Sequence, residues 1–107
     1  MRILFIGIAA LTATLISASA AEPKANWDKT CAKCHGPDGK GVTKIGKMLG
    51  IKDFTDAQYQ GTLKEETMTK AIKEGIKDGE KTKMKPAEDL NDDEIKALVA
   101  FVRDFKK

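Results

Sequence analysis

The chain has 107 residues, of which 33% are charged, and its 19 basic residues are nearly balanced by 16 acidic ones. This length allows one small domain. The net charge of +3 and the 6% aromatic content argue against a nucleic-acid-binding protein. A domain of this size buries a modest fraction of its surface, so it often depends on a disulfide, a metal or a cofactor.

The first twenty residues have the layout of a secretory signal peptide. Arg2 supplies a positive start, residues 3–16 form an apolar run without a charge, and residues 18–20 read Ala-Ser-Ala. The sequence therefore predicts export, cleavage after Ala20 and a domain at residues 21–107. Retention of the apolar run as an anchor is the alternative, although the run is shorter than the roughly 20 residues that span a bilayer.

The first predicted helix begins at Pro23, because proline suits the first helical position, and it ends at about Lys33. The sequence GPDGKG at residues 36–41 has the composition of a turn. Residues 42–54 carry scattered apolar side chains interrupted by glycines. We expect them to form an ordered loop with one helical turn.

Two further helices are predicted in the middle of the chain. Thr55 would cap a short helix over residues 56–60, and Thr62 with Glu65 fits a capping box that opens a helix ending before Gly75. The second of these helices would bury an apolar stripe made of Met68, Ala71 and Ile72.

The last predicted helix is capped by Asn91, with Glu94 completing a capping box. Residues 77–88 before it have no helical period, and no segment of the domain alternates as a half-buried strand does. The predicted class is all-α. The apolar face of the last helix consists of Ile95, Leu98, Val99, Val102 and Phe105, with Phe101 beside it.

Both cysteines and the single histidine of the chain lie within CAKCH at residues 31–35. A structural zinc site usually needs four ligands from two separated pairs, and no second pair exists. A thioredoxin-like dithiol needs a preceding strand, which is not predicted. A simple disulfide remains an alternative, but it would leave His35 without a role.

The spacing C-x-x-C-H is the attachment pattern of c-type haem. Thiols three residues apart on a helical turn can each add to one vinyl group of the porphyrin. The histidine that follows can then coordinate the iron. The predicted cofactor is therefore one covalently attached haem c, bound by Cys31, Cys34 and His35, and its porphyrin would enlarge the small core.

The chain resembles the class I c-type cytochromes, specifically the small soluble proteins of the bacterial periplasm. The resemblance rests on CAKCHGPDGKG near the start of the domain, KMKP late in the chain and LNDDEIKALVAFVRDF at its end. Trp27 also stands where family members usually carry an aromatic residue. The resemblance implies a cytochrome c fold of three to five helices around one haem. It also implies that Trp27 and Phe101 meet where the first and last helices cross.

The sixth iron ligand is predicted to be Met84. A second histidine does not exist, Met68 belongs to a helical stripe, and packing against the haem explains Met48. Met84 instead stands among lysines in a segment without an apolar period. In the resembled family the axial methionine directly precedes a proline, whereas Lys85 intervenes here. The resemblance further implies that the carbonyl of Pro37 accepts a hydrogen bond from His35.

The predicted function is that of a soluble mono-haem carrier of single electrons between redox proteins, not of an enzyme. A small peroxidase-like haem enzyme or a redox sensor, with an open or labile sixth ligand, is the alternative. We expect a periplasmic monomer that binds redox partner proteins and no nucleic acid or small-molecule substrate. It would meet membranes only through its partners. Two sets of lysines could steer an acidic partner: Lys81, Lys83 and Lys85, and Lys44, Lys47 and Lys52.

Overall fold

The computed structural model describes Gly7 and residues 22–107. Apart from Gly7, the predicted signal peptide and its cleavage site lie outside the described residues. The first helical segment runs without a break from residue 23 to residue 35, two residues beyond the predicted end. It consists of α1 at Pro23–Asn26, a π-helical turn at Trp27–Cys31 and α2 at Ala32–His35. Pro23 occupies the start of α1, as predicted.

Two short helices follow the predicted turn, α3 at Lys44–Leu49 and α4 at Ala57–Thr62. The predicted cap of α4 is wrong by one residue. The carboxylate of Asp56 caps this helix by accepting from the backbone N–H groups of Gln58 and Tyr59. The N–H and the hydroxyl of Thr55 instead both donate to Asp53, at 2.8 and 2.6 Å.

Helix α5 spans Glu65–Glu74 and ends before Gly75, as predicted, but the predicted capping box is wrong. Thr62 is the last residue of α4, and its hydroxyl donates to the carbonyl of Tyr59 at 2.7 Å. Lys64 therefore precedes α5 without a side-chain cap. On the inner face of α5, Met68 and Ile72 are buried, which confirms the predicted apolar stripe.

The prediction that the domain contains no strand is wrong. Strands β1 at Ile76–Asp78 and β2 at Lys81–Met84 pair as an antiparallel hairpin. The turn passes through Gly79, whose φ of +62° suits a hairpin loop. All residues of both strands are exposed except Met84, so the hairpin lacks the alternation by which a half-buried strand is recognised. The molecule is nevertheless mostly helical, which confirms the predicted class.

Helix α6 spans Asp92–Asp104, and its predicted capping box of Asn91 and Glu94 is confirmed. The rings of Trp27 and Phe101 lie 5.6 Å apart between centroids, so the predicted contact of the first and last helices is also confirmed. Within the described part of the chain, no helix is long and apolar enough to cross a membrane. The core consists of Trp27, Cys31, Met68, Ile72, Ile95, Leu98, Val99 and Val102.

Candidate functional site

The CAKCH residues lie at the end of the first helical segment. Cys31 closes the π-helical turn and is buried, whereas Cys34 and His35 lie in α2 and are half-buried. The two cysteines are not joined by a disulfide bond. Burial, with a smaller contribution from Cys34, raises the pKa of the Cys31 thiol to about 11.

The π-helical turn sets the direction of Trp27. The N–H of Ala32 donates to the carbonyl of Trp27, five residues earlier, which widens the helix by one residue. Trp27 is only 2% exposed. Its indole N–H donates to the carbonyl of Gly36 at 3.0 Å, so Trp27 ties the first helix to the residue that follows His35.

The imidazole of His35 lies among aromatic rings. Its centroid is 5.6 Å from that of Trp27 and 5.0 Å from that of Phe54, on which it stacks at 24°. Phe54 stacks in turn on Tyr59 at 6.0 Å. Burial lowers the pKa of His35 and raises that of Tyr59. His35 is therefore held as the neutral imidazole, which is the form that binds metals.

Nδ1 of His35 is buried and has no hydrogen-bond partner. The carbonyl of Pro37, expected from the family resemblance to accept from this nitrogen, does not do so here. A buried ring nitrogen without a partner is costly unless another group engages it. The imidazole and the two cysteines on the same helical turn fit a group that binds thiols and imidazole together, as haem does.

Three successive backbone carbonyls at the end of α2 are held by three different donors. The Thr43 hydroxyl donates to Cys34 at 2.7 Å, the Gly41 N–H to His35 at 2.7 Å and the Trp27 indole to Gly36 at 3.0 Å. Sequence reasoning identified Trp27 but missed Thr43 and Phe54. The available signal was only a threonine ahead of a short helix, and it did not indicate which carbonyl the hydroxyl would reach.

The structure separates the three methionines of the domain. Met68 is buried in the core on α5, as predicted, and Met48 lies on α3 with 77% of its surface exposed. Met84 ends β2, is half-buried and packs against the hydrophobic cluster that contains Trp27 and Cys31. Met84 and the CAKCH segment thus border one core, although they are far apart in the sequence.

Comparison with known proteins identifies the family. Residues 18–102 match the family described as "Cytochrome C oxidase, cbb3-type, subunit III". A search of curated proteins returned no significant match.

Two solved structures are similar to the chain over nearly their whole length. A c-type cytochrome named KustC0563 is 36% identical with a TM-score of 0.70, covering 79% of this chain and 98% of its own. A single-residue mutant of that cytochrome is 35% identical with a TM-score of 0.67, covering 78% of this chain and 98% of its own. The chain therefore belongs to this cytochrome c family, as a class I c-type cytochrome with covalently bound haem c.

Proposed function

We propose that the protein is a soluble, periplasmic carrier of single electrons whose haem is held by four side chains. Cys31 and Cys34 would form the thioether bonds, and His35 and Met84 would bind the iron. Haem-based electron transfer and redox partner proteins follow from the family. The axial ligands, the carrier role and the compartment are the added proposals. The first twenty residues, with their apolar run and Ala-Ser-Ala end, support export to the periplasm.

The observation that carries this proposal is the position of Met84. Of the methionines in the described residues, Met84 alone is half-buried at the end of a strand, against the cluster that contains Cys31. Met68 is buried in the core, and Met48 is not part of the core. A sulfur at the edge of the core is available to a bound group, whereas a sulfur inside the core already serves packing.

The two axial residues would give the site its function. Haem supplies one reversible electron transfer when it is bound. The neutral imidazole of His35 can coordinate without first losing a proton. The soft thioether of Met84 favours the reduced state relative to a second histidine. With both positions filled, no coordination site remains for a substrate, which favours a carrier over an enzyme.

Replacement of Met84 tests the proposal. We expect Met84→Ala to lose the methionine-to-iron charge-transfer band of the oxidised protein, to lower the reduction potential and to keep the haem covalently attached. Met48→Ala is the control for an exposed methionine, and Met68→Ala is the control for a methionine in the core. Both should keep the band, and Met68→Ala should lose stability, by about 2 to 5 kcal/mol.

Two results would contradict the proposal in different ways. Loss of the band in Met48→Ala or Met68→Ala, but not in Met84→Ala, would assign the ligand to another methionine. A band absent from the unmodified protein would indicate an open or water-ligated iron. The peroxidase-like or sensor alternative would then replace the carrier.

A further inference from the structure

We propose that Thr43 is a positioning residue for the haem ligand His35. Its hydroxyl, acting with the start of α3, fixes the peptide between Cys34 and His35 and thereby the orientation of the imidazole. This inference rests on the proposed ligation by His35. It adds a residue that lies eight positions further along the chain and that no ligand motif includes.

The first observation is a chain of two hydrogen bonds. The N–H of Gly46 donates to the Thr43 hydroxyl oxygen at 2.8 Å, and the hydroxyl donates to the carbonyl of Cys34 at 2.7 Å. Both bonds are part-buried, so water competes weakly with them. Because each bond polarises the next, the hydroxyl is a better donor to Cys34 than an isolated hydroxyl would be.

The second observation is the close approach of α3 to the residues around His35. A Cβ atom at Gly46 would lie only 2.7 Å from the carbonyl oxygen of Cys34, and it would also clash with the carbonyl of Gly41. The N–H of Gly41 in turn donates to the carbonyl of His35 at 2.7 Å. The start of α3 and the preceding loop therefore hold the carbonyls of both Cys34 and His35.

These contacts matter because the end of a helix leaves carbonyls without intrahelical partners. The carbonyl of Cys34 belongs to the peptide that joins Cys34 to His35. If this peptide rotates, the Cα–Cβ bond of His35 turns with it, and the imidazole plane turns relative to the haem. Groups that orient a ligating histidine in this way tune the metal without touching it. Nδ1 of His35 has no hydrogen-bond partner, so the orientation of the imidazole depends more strongly on the backbone.

The test uses the haem-loaded protein and a matched pair of threonines. Thr43→Val removes the hydroxyl that donates to Cys34. Thr62→Val removes a hydroxyl that donates at the same distance of 2.7 Å to the carbonyl of Tyr59, which does not belong to the CAKCH segment. Thr43→Ser retains the hydroxyl. The proton NMR shifts of the haem methyl groups in the oxidised protein report the orientation of the axial imidazole, and voltammetry reports the midpoint potential.

We expect Thr43→Val to change the pattern of haem methyl shifts and to move the midpoint potential, while Thr62→Val and Thr43→Ser match the unmodified protein. A purely structural role would lower the unfolding midpoint of Thr43→Val without changing the methyl pattern, and that result would overturn the inference. If Thr43→Val does not accumulate, Thr43→Gly answers the same question. Thr43 is the N-cap of α3, a position at which glycine is tolerated, and glycine offers no side-chain donor.

His35→Gln separates this inference from the proposal beneath it. If this variant kept the low-spin spectrum of the unmodified protein, His35 would not be a ligand and both proposals would fail. If His35→Gln lost that spectrum while Thr43→Val kept the unmodified methyl pattern, only the role of Thr43 would be refuted.

Discussion

At the scale of single residues, Gln60 is the buried polar side chain that joins three segments. It is 2% exposed, and its amide nitrogen donates to the carbonyl of Phe54 at 2.8 Å and to that of Val102 at 2.7 Å. Arg103 completes the network by donating to the backbone and side-chain oxygens of Gln60 at 2.7 and 3.3 Å. Gln60 thus fixes Phe54, on which the imidazole of His35 stacks.

We expect Gln60→Leu to lower the free energy of unfolding by about 2 to 3 kcal/mol. The substitution preserves the side-chain volume but leaves the carbonyl of Phe54 without its amide donor and the guanidinium of Arg103 without one acceptor. Gln58→Leu, at an exposed position of the same helix, should change the free energy of unfolding by less than about 0.5 kcal/mol. Denaturant titration of the haem-loaded proteins measures both values. Equal effects would show that the network contributes nothing to stability.

Tyr59 gives the protein a predicted sensitivity to alkaline pH. It is the only tyrosine, and burial raises its pKa in the folded state. Its contribution to stability is therefore fully present below the unfolded pKa of about 10 and is lost as pH rises through the folded pKa. Carbon NMR of tyrosine labelled at Cζ should show titration above the value for free tyrosine. A midpoint at or below that value would contradict the expectation. The Tyr59→Phe protein should lose less folding stability at alkaline pH, because it has no phenol to ionise.

At the scale of secondary-structure elements, the connection between α5 and the hairpin depends on Gly75. Its φ is +75°, and a Cβ atom there would clash with the carbonyl of Met84 and lie 2.9 Å from the nitrogen of Pro86. Glycine at this position therefore lets the end of α5 approach the segment that carries the proposed iron ligand.

We expect Gly75→Ala to destabilise the protein by more than about 1 kcal/mol, because the positive φ and the clash both oppose a side chain. It should also weaken the methionine-to-iron band by displacing Met84. Gly61→Ala is the control, since Gly61 lies in α4 with open space around it. That variant should be neutral or more stable by about 0.5 to 1 kcal/mol. Thermal unfolding measures the change in stability, and the visible spectrum measures the methionine-to-iron band. If Gly75→Ala and Gly61→Ala gave the same stability and the same band, the expectation would be refuted.

Sequence patterns predicted the elements whose signals are local. The box of Asn91 and Glu94 was confirmed because its two residues share one helical turn. Thr62 and Glu65 have the same spacing, yet that prediction failed because Thr62 already belongs to α4. The hairpin was missed because its strands bury almost no apolar side chain, and the Asp78–Gly79 turn was the only cue.

In the candidate site, too, the sequence predicted the local motif but not the residues that support it. CAKCH is contiguous, so its chemistry can be read from the sequence without knowledge of the fold. Thr43 and Phe54 act on this segment through a backbone carbonyl and a ring face. Neither kind of contact leaves a spacing pattern in the sequence, so the supporting residues became visible only when the chain was folded.

At the scale of the whole molecule, the hairpin beside Met84 carries three lysines against two acidic residues, Asp78 and Glu80. Lys77, Lys81 and Lys83 are exposed on its two strands, and only Lys83 has an ion-pair partner among the described residues, Asp78 at 3.6 Å. On α5, by contrast, Lys70 and Lys73 pair with Glu74 and Asp92. This difference supports a positively charged approach to the proposed haem edge.

We expect Lys81→Glu to slow reduction by photoreduced flavin mononucleotide, an anionic reductant, severalfold at low ionic strength. Lys96→Glu makes the same change in net charge on α6 and should slow the reaction less. The difference should shrink as salt is added, because screening acts over about 10 Å at 0.1 M. Laser-flash kinetics at several salt concentrations measures both rates. Identical salt dependence for the two variants would mean that only net charge matters.

Because of the π-helical turn, a change in chain length has different consequences in the first helical segment and at the tip of the hairpin. Deleting one residue among 28–30 would leave a regular α-helix, in which each residue turns by about 100°. Because the wide turn already holds one residue more than an α-helical turn, Trp27 would keep its direction after this deletion. A second deletion would turn it by about 100°, away from the carbonyl of Gly36 and out of the core. At the exposed tip of the hairpin, an inserted residue displaces no core side chain. Relatives of this protein should therefore vary in length at the hairpin tip, whereas the interval between the tryptophan and the first cysteine should be either unchanged or one residue shorter, without the π-helical turn.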